Sequence, residues 1–396
     1  MKISDVKIYT VDAYRTNWAF IKVETDEGLY GWGEASLGTN ENALEGMISD
    51  LKRLIIGRNP LEIEKMLFEI YRDMYWKGGP VLMSAISGVE IAMWDIMGKY
   101  FNCPVSTFFG GKIRDKVRMY ANAWFVGASE PKEFARKAKQ TVELGVTALK
   151  WDPFGKAHMT ITPQEMERAV NIVGAVREAV GSKIDLLIEC HGRFGPTAAV
   201  QISKELEQFK PMFMEEPCVP DHVESTAYVR SRSNIPIAAG ERCYGKYDFE
   251  AMFSQNAVDY VQPDVFHAGG LLEGKKVAAM AEAKHLMVSY HNPSGPVSNA
   301  AILQLAATVP NFCIHEIMLT DGRFRKEITN EEVVFEDGYI KIPDKPGIGI
   351  EVNVDELQKH PYRPINLRHF TGKVTDIRAK EDTIYYFKGL EQIEYE

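Results

Sequence analysis

The sequence predicts an α/β fold built on a barrel of parallel strands, and the evidence is a repeated strand–helix pattern. Three short apolar runs end in Glu189, Glu215 and Glu241. Both intervals between these residues are 26 positions long (215 − 189 = 26 and 241 − 215 = 26). Helical patterns fill the gaps, at residues 197–209 and 222–232. Short buried strands that alternate with helices at a regular period are typical of parallel α/β barrels.

The same pattern extends to eight predicted barrel strands. They fall at about residues 118–123, 147–151, 184–189, 211–215, 236–240, 258–263, 286–290 and 311–316. Helix signals separate the strands; for example, Thr162 and Glu165 fit a capping box, and Gly181 ends the helix that they open. No helix is evident after strand eight, and we expect the chain from Thr320 onwards to be polar and irregular.

The region before the barrel predicts a smaller α+β domain. Strands are expected at residues 6–11, 20–24 and 30–34, and helices between residues 41 and 110. The helix predicted at residues 81–101 is apolar on all sides, so it should be buried.

The predicted limits are residues 1–115 for the α+β domain, 116–355 for the barrel and 356–396 for a C-terminal tail. A strand-like segment at residues 383–387 is expected to pair with the N-terminal domain.

Composition excludes several classes of protein. The chain has 396 residues, 45% of them hydrophobic, and a formal net charge of −9 without basic clusters, which argues against a nucleic-acid partner. The N-terminus lacks an apolar signal core, and no apolar run is expected to span a membrane. The five cysteines form no Cys-x-x-Cys pair, so we expect free thiols in the cytoplasm.

The three strand-end glutamates predict a metal site. In a parallel barrel the carboxyl ends of the strands meet at one face, so Glu189, Glu215 and Glu241 should converge. Carboxylates at close range force protonation unless a cation neutralises them. Oxygen ligands without Cys or His favour Mg2+ over Zn2+. The sequence therefore predicts a magnesium site.

Other strand ends predict acid–base catalysis. Asp264 follows strand six and His291 follows strand seven; on neighbouring strands they can pair, which makes His291 a general base. His191 lies two residues after Glu189, so in an extended segment it faces the same way and can act as an acid. Glu316, if protonated, would donate to a substrate carboxylate. Removal of a proton beside that carboxylate and loss of a hydroxyl amount to a β-elimination of water.

Five further residues are candidate substrate contacts. They are Lys150, Asp152, Arg193, Asn292 and His315. Three of them have a structural alternative: a strand-end salt bridge for Arg193, loop hydrogen bonding for Asn292, and packing for His315.

Motifs along nearly the whole chain carry a family resemblance. They lie at residues 94–99, 120–122, 150–155, 189–194, 215–217, 240–242, 262–264, 291–292 and 346–349. With them the sequence resembles the enolase superfamily, in its mandelate racemase-like subgroup, and most of all the gluconate and galactonate dehydratases.

The resemblance implies a (β/α)7β barrel, a modified TIM barrel, whose α+β capping domain is built from both chain ends. It implies one Mg2+ per subunit on the three glutamates, His291 with Asp264 as the base, Glu316 beside the bound carboxylate and His191 as the acid. It further implies specificity loops at residues 14–18 and 38–40, an acid-sugar substrate, hydro-lyase activity and a homo-oligomer, commonly an octamer.

One departure from the family bears on the reaction. Racemases of the subgroup carry Lys-x-Lys at strand two, but here the second lysine is replaced by Asp152. A lysine base is therefore missing, which weakens the alternative of an epimerase, racemase or cycloisomerase acting on the same enediolate. A non-catalytic sugar-acid-binding protein is the alternative from another class.

Overall fold

The N-terminal region of the computed structural model, which describes residues 1–330 and 335–364, begins with an antiparallel sheet. Its strands, in the order β1-β2-β3, are β1 (Ile3–Asp12), β2 (Asn17–Thr25) and β3 (Tyr30–Glu34). Gly28 forms the β2–β3 turn with φ of 83°, a conformation that glycine adopts without steric cost. The three strands predicted for this region are confirmed.

Three helices follow the sheet: α1 (Glu41–Ile55), α2 (Ile63–Asp73) and α3 (Pro80–Tyr100). The last of them lies directly on β3. A Cβ atom added at Gly31 would lie 2.0 Å from the Ala92 carbonyl oxygen, and one at Gly33 would lie 1.9 Å from that of Gly88. The two glycines therefore allow the strand and the helix to approach each other backbone to backbone.

Helix α3 corrects one expectation from the sequence. By length and composition it is a candidate membrane span, contrary to the expectation that no apolar run was long enough. However, 89% of its apolar window is buried inside the protein. The helix is mostly apolar because it packs between the N-terminal sheet and the barrel, and its few polar side chains are buried with it.

The barrel contains the eight predicted strands in parallel order. They are β4 (Lys116–Asn122), β5 (Ala148–Trp151), β6 (Asp185–Glu189), β7 (Phe213–Glu215), β8 (Ile237–Ala239), β9 (Tyr260–Val261), β10 (Met287–Val288) and β11 (His315–Met318). The ring closes because β11 pairs with β4, and Phe312 bridges Val288. Strand eight begins at His315 rather than near residue 311, because the apolar residues before it run as a loop with that isolated bridge.

Helices connect successive barrel strands. They are α4 (Pro131–Glu143), α5 (Pro163–Val180), α6 (Pro196–Leu206), α7 (Val223–Arg230), α8 (Lys246–Ser254), α9 (Leu271–Glu282) and α10 (Pro296–Ala306). The capping box of Thr162 and Glu165 is present, and Gly181 ends α5 as predicted. The region after strand eight is less irregular than expected: a 3-10 turn and α11 (Gly322–Ile328) follow β11.

The chain then returns towards its beginning. A hairpin of β12 (Phe335–Glu336) and β13 (Tyr339–Lys341) pairs antiparallel with β4, and α12 (Val354–Leu357) follows. Pro361 bridges Val11 of β1, so the described part of the C-terminal tail contacts the N-terminal sheet. The strand predicted at residues 383–387 lies outside the described residues, and the predicted domain limits stay predictions.

Candidate active site

The three strand-end glutamates lie together at the carboxyl face of the barrel. Glu189 and Glu215 are the last residues of β6 and β7 and are direct neighbours in register. Glu241 follows Gly240, just beyond β8. One carboxylate oxygen from each residue lies within 4.8 Å of the others. The convergence expected from the 26-residue period is therefore present in the structure.

Lys150 lies among these carboxylates. Its Nζ donates to Glu215 Oε1 at 2.9 Å, and it lies 3.1 Å from Glu316 Oε1 and 3.5 Å from Glu189 Oε2. Burial alone would lower the pKa of Lys150, but the charges of Glu215 and Glu316 outweigh it and hold the pKa well above its usual value. Lys150 was predicted as a substrate contact, and the structure places it in ion pairs with carboxylates of the metal site.

The carboxylates outnumber the nearby cation. Glu215 is fully buried, and burial together with the charge of Glu189 raises its pKa well above the ordinary value, although Lys150 acts in the opposite direction. Additional positive charge would relieve this repulsion. Three clustered carboxylates are the all-oxygen ligand set that suits a hard divalent cation. The residues present therefore fit the implied Mg2+.

His291 and Asp264 form the predicted pair. His291 Nδ1 lies 2.8 Å from Asp264 Oδ2, and Phe266 N donates to Asp264 Oδ1 at 2.8 Å. Because the carboxylate accepts, Nδ1 carries a proton and Nε2 points into the site, 3.4 Å from Glu241 Oε2. Burial would lower the pKa of His291, but Glu241 and the hydrogen bond to Asp264 raise it to about 10.

His191 has a carboxylate partner of its own, which the sequence analysis did not predict. Its Nδ1 lies 2.8 Å from Asp152 Oδ2. The residue has φ of 51°, so the chain turns there instead of continuing the strand. In this turn His191 N donates to Glu189 Oε1 at 2.6 Å. The extended geometry assumed from the sequence is therefore wrong, although His191 still lies beside the glutamate.

The two His–Asp pairs lie on opposite sides of the barrel mouth. Asp152 and His191 follow β5 and β6, whereas Asp264 and His291 follow β9 and β10. In a closed ring of eight strands, these positions are four strands apart. Glu189, Glu215 and Glu241 occupy the arc between them. A small molecule held at the triad would thus have one imidazole on each side.

Glu316 is held in place rather than free. Asn122 Nδ2 donates to its Oε1 at 2.8 Å, and Asn292 N donates to its Oε2 at 2.8 Å. Burial would raise the pKa of Glu316, but Lys150 and His291 outweigh it and lower the pKa to about 2. The structure therefore favours the ionised form, and not the protonated donor considered from the sequence.

The remaining predicted substrate contacts lie below the site surface. Arg193 is fully buried; it contacts Asp152 and donates to Cys190 O at 3.0 Å. Asn292 is buried against Glu316, as described above. His315 is fully buried, with Nε2 2.6 Å from Asn299 Oδ1. These contacts favour the structural alternatives weighed for Arg193, Asn292 and His315 over direct substrate contact.

Two contributors to the site were given no role of their own from the sequence, although one lies in a family motif and the other in a predicted specificity loop. Asn122 ends β4 and reaches Glu316 across the barrel closure; its strand-end position was a signal that could have found it. Arg15, in the predicted specificity loop at residues 14–18, donates to Pro293 O in the loop after β10. Nothing in the local pattern marked Arg15, because its partner lies 278 residues away.

Comparison with known proteins agrees with this geometry. Residues 5–110 match the mandelate racemase/muconate lactonizing enzyme N-terminal domain, and residues 133–357 match the enolase C-terminal domain-like family. A D-galactonate dehydratase from Pectobacterium atrosepticum is 34% identical over 88% of this chain and 92% of its own. A D-gluconate dehydratase from Thermoproteus tenax is 36% identical over 93% of this chain and 73% of its own.

Solved structures show the same architecture. A member of the enolase superfamily from Salmonella Typhimurium has a TM-score of 0.87 and 30% identity, covering 91% of this chain and 98% of its own. A mandelate racemase/muconate lactonizing enzyme from Jannaschia sp. CCS1 has a TM-score of 0.86 and 31% identity, covering 92% and 98%. The chain therefore belongs to the enolase superfamily of enzymes, in its mandelate racemase/muconate lactonizing enzyme group, and its fold is the capped (β/α)7β barrel. The curated relatives reported above are hydro-lyases by name.

Proposed function

We propose that this protein is a Mg2+-dependent dehydratase of an acid sugar, an aldonate such as gluconate or galactonate, and forms a 2-keto-3-deoxy acid. The observation that carries the proposal is the pair of imidazoles, each backed by an aspartate, on opposite sides of a carboxylate triad. The names of the relatives support the substrate class.

The metal site would be formed by Glu189, Glu215 and Glu241, with one ion per subunit. When bound, Mg2+ would accept negative charge that develops on the substrate carboxylate and would offset the carboxylate charge that raises the pKa of His291. Lys150 already supplies one positive charge beside Glu215 and Glu316.

His291 is the general base in this proposal. Its Nε2 faces the triad and takes the proton from C2 of the substrate, while Asp264 holds the Nδ1 proton and stabilises the imidazolium that forms. The electron pair of the C–H bond moves into an enediolate. Asn292, the next residue, and Glu316 hold each other in the neighbouring wall of the site.

His191 is the general acid. With Nδ1 bonded to Asp152, its Nε2 is the nitrogen available to the substrate, and it protonates the C3 hydroxyl as the C–O bond breaks. Water leaves, and the enol that remains ketonises to the 2-keto-3-deoxy acid. Arg193, buried behind Asp152, fixes that carboxylate and so orients the acid.

Epimerisation at C2 is the second candidate, and one observation favours it. His191 has the same kind of aspartate support as His291, so each side of the site carries a group able to exchange a proton. The sequence weakened this candidate because a strand-two lysine is missing. An imidazole at strand three could replace that lysine if the substrate places C2 between the two rings.

Product analysis separates these functions. The enzyme is incubated with Mg2+ and a panel of aldonates and aldarates, and keto acids are trapped with semicarbazide. Dehydration gives a semicarbazone from at least one aldonate. A changed substrate NMR spectrum without keto acid would instead support epimerisation, and metal-dependent binding without C2 proton exchange would support a binding protein.

We also propose a homo-oligomer, as the family resemblance implies. Large aromatic side chains of the N-terminal region are exposed: Phe68 is 62% exposed, Tyr75 85% and Trp76 84%. Exposed apolar groups of this size are typical of contact surfaces. Light scattering on the purified protein measures the assembly, and a monomer at micromolar concentration would contradict this part of the proposal.

A further inference from the structure

Helix α3 of the N-terminal domain carries a row of polar groups that contact the loop after β9. Ser84, Ser87 and Glu90 are spaced three residues apart, so they share one face of the helix. Ser84 Oγ lies 2.7 Å from His267 Nδ1, and Gly269 N donates to Ser87 Oγ at 2.9 Å. The row thus follows the loop that begins with Asp264.

Glu90 ends this row by capping a barrel helix. Its Oε2 accepts from Leu271 N at 2.8 Å and its Oε1 from Leu272 N at 2.9 Å, which are the first two amides of α9. The carboxylate satisfies amides that have no partner within the helix and lies at the positive end of the helix dipole. A Cβ on Gly270 would lie 2.2 Å from Glu90 Oε2, so the close approach requires glycine there.

Glu34 of β3 makes the equivalent contact with the next helix. It is fully buried, and it accepts from Gly295 N at 2.6 Å and from Ser298 N at 2.9 Å, at the start of α10. The N-terminal domain therefore holds two successive barrel helices by the same device, a buried carboxylate on the helix N-terminus.

These two helices follow the strands that carry the proposed base. Asp264 lies seven residues before Leu271 (271 − 264 = 7), and His291 lies four residues before Gly295 (295 − 291 = 4). His267, which Ser84 contacts, also places its Nε2 3.7 Å from Asp264 Oδ2. The contacts of the N-terminal domain therefore converge on the two loops that set the distance between Asp264 and His291.

We propose that Glu90 and Glu34 are positioning residues for the Asp264–His291 pair, so that docking of the N-terminal domain sets the geometry of the general base. The inference rests on the proposed function for its kinetic consequence, but not for its structural one. Neither glutamate touches the triad, and both act through the loops that they hold.

Asp95 provides a matched control on the same helix. It too is a fully buried carboxylate that accepts two backbone amides, from Trp32 N at 2.9 Å and Ile348 N at 2.9 Å. Neither amide belongs to the loops after β9 and β10. Asp95→Asn and Glu90→Gln each place an NH2 group where a buried carboxylate faced amide donors. Asp95 also pairs with Lys99, so Asp95→Asn disturbs the fold at least as much, but only Glu90→Gln concerns the base.

The first test needs no substrate. The Nδ1 proton of His291 is observed by NMR in protein labelled with 15N-histidine, and its signal is assigned by its loss in His291→Asn. Glu90→Gln and Glu34→Gln are expected to shift or broaden this signal, whereas Asp95→Asn leaves it unchanged. An unchanged signal in both glutamate variants would overturn the inference, whatever reaction the enzyme catalyses.

The second test is kinetic and uses an aldonate that the wild type dehydrates. Misplacement of a catalytic group by about 1 Å can lower the reaction rate ~10²-fold. In Glu90→Gln, kcat per folded molecule should therefore fall 10- to 100-fold, while KM stays within about 2-fold of the wild-type value. The isotope effect for 2-deuterated substrate should be at or above the wild-type value, because C–H cleavage is the step that slows.

The kinetic test has four outcomes that bear on the inference. Equal kcat per folded molecule in Glu90→Gln and Asp95→Asn contradicts the inference, as does a smaller isotope effect, which would mean that another step had slowed. Should Glu90→Gln fail to fold, Ser87→Ala removes one hydrogen bond of the same row and should change kcat in the same direction by a smaller factor. A wild type that makes no keto acid contradicts the proposed function instead, and the NMR test then decides the inference.

Discussion

Asp152 Oδ2 lies 2.8 Å from His191 Nδ1, the same distance that separates Asp264 Oδ2 from His291 Nδ1 on the other side of the barrel mouth. The strand-two residue that replaces a lysine base is therefore the partner of a second imidazole. The site keeps an acid–base group on each side, but one of the two is supplied by strand three. This arrangement suits a reaction that removes a proton and a hydroxyl.

Asp152→Asn should separate the two halves of the reaction. An asparagine that presents its NH2 group to Nδ1 favours the wrong tautomer of His191, and one that presents its oxygen loses the charge that stabilises the imidazolium. Water loss should fall by ~10²-fold or more, the usual contribution of a positioned acid. Exchange of the C2 proton in D2O, which depends on His291, should continue. NMR of one incubation measures both rates, and equal loss of both would contradict the assignment.

Replacing each histidine should separate proton exchange from water loss more completely than Asp152→Asn does. His291→Asn is expected to abolish C2 exchange and keto-acid formation together, because no base remains on that side. His191→Asn should keep the exchange and block dehydration. The measurement is deuterium incorporation into recovered substrate beside semicarbazone yield, and retained turnover in His191→Asn would refute its role as the acid.

The fold and the triad could be predicted because both follow from local pattern. A 26-residue period places successive strands in register, and the last residue of a parallel strand points to the active face whatever the details of the loops. Glu189 and Glu215 needed nothing more, and Glu241, two residues beyond β8, keeps the same period and faces the same site. Asp264 and His291 were found in the same way, since strands adjacent in sequence are adjacent in the barrel.

Side-chain direction beyond the strand ends could not be predicted. The φ of 51° at His191 sets its pairing with Asp152, and no sequence signal reports that turn. The sequence placed Arg193 after strand three and His315 near the end of strand eight, as for substrate contacts. In the structure both are fully buried, and His315 begins β11. Asn122 reaches Glu316, 194 residues away in sequence, because the barrel closes between β4 and β11. Such contacts depend on closure and burial, which periodicity does not encode.

The ion pairs of Lys150 with the buried carboxylates predict that its removal makes stability depend more strongly on bound metal. Its Nζ is paired with the buried Glu215, so Lys150→Met leaves carboxylates without their cation, and loss of one partner of a buried pair typically costs about 3–5 kcal/mol. Bound Mg2+ compensates for part of this loss. Thermal unfolding with EDTA or with excess Mg2+ should therefore show a larger metal-dependent gain in Tm for Lys150→Met than for the wild type.

The control for this experiment is Lys99→Met. Lys99 pairs with the buried Asp95 at 2.8 Å and makes no described contact with the triad. Lys99→Met should lower Tm by the same amount with and without Mg2+. Equal metal-dependent gains in the two lysine variants would contradict the link between Lys150 and metal binding, and no gain in the wild type would contradict a magnesium site at the triad.

The burial of His315 predicts that the protein becomes less stable as pH falls. Burial lowers its pKa from 6.5 to about 3, and its Nε2 proton faces Asn299 Oδ1, an oxygen that accepts. Between pH 6.5 and 3 the unfolded chain binds a proton at this position that the native state does not bind. Acidification therefore favours unfolding. The stability that neutral His315 contributes is complete above pH 6.5 and is lost at about 1.4 kcal/mol per pH unit as pH falls.

His315→Gln, which keeps a donor for Asn299, should reduce the slope of unfolding free energy against pH by this amount. Urea denaturation at pH 6.5, 5.5 and 4.5 measures the slope, with His285→Gln at an exposed position as the control. A slope in His315→Gln equal to that of the wild type would mean that His315 is already protonated in the native state.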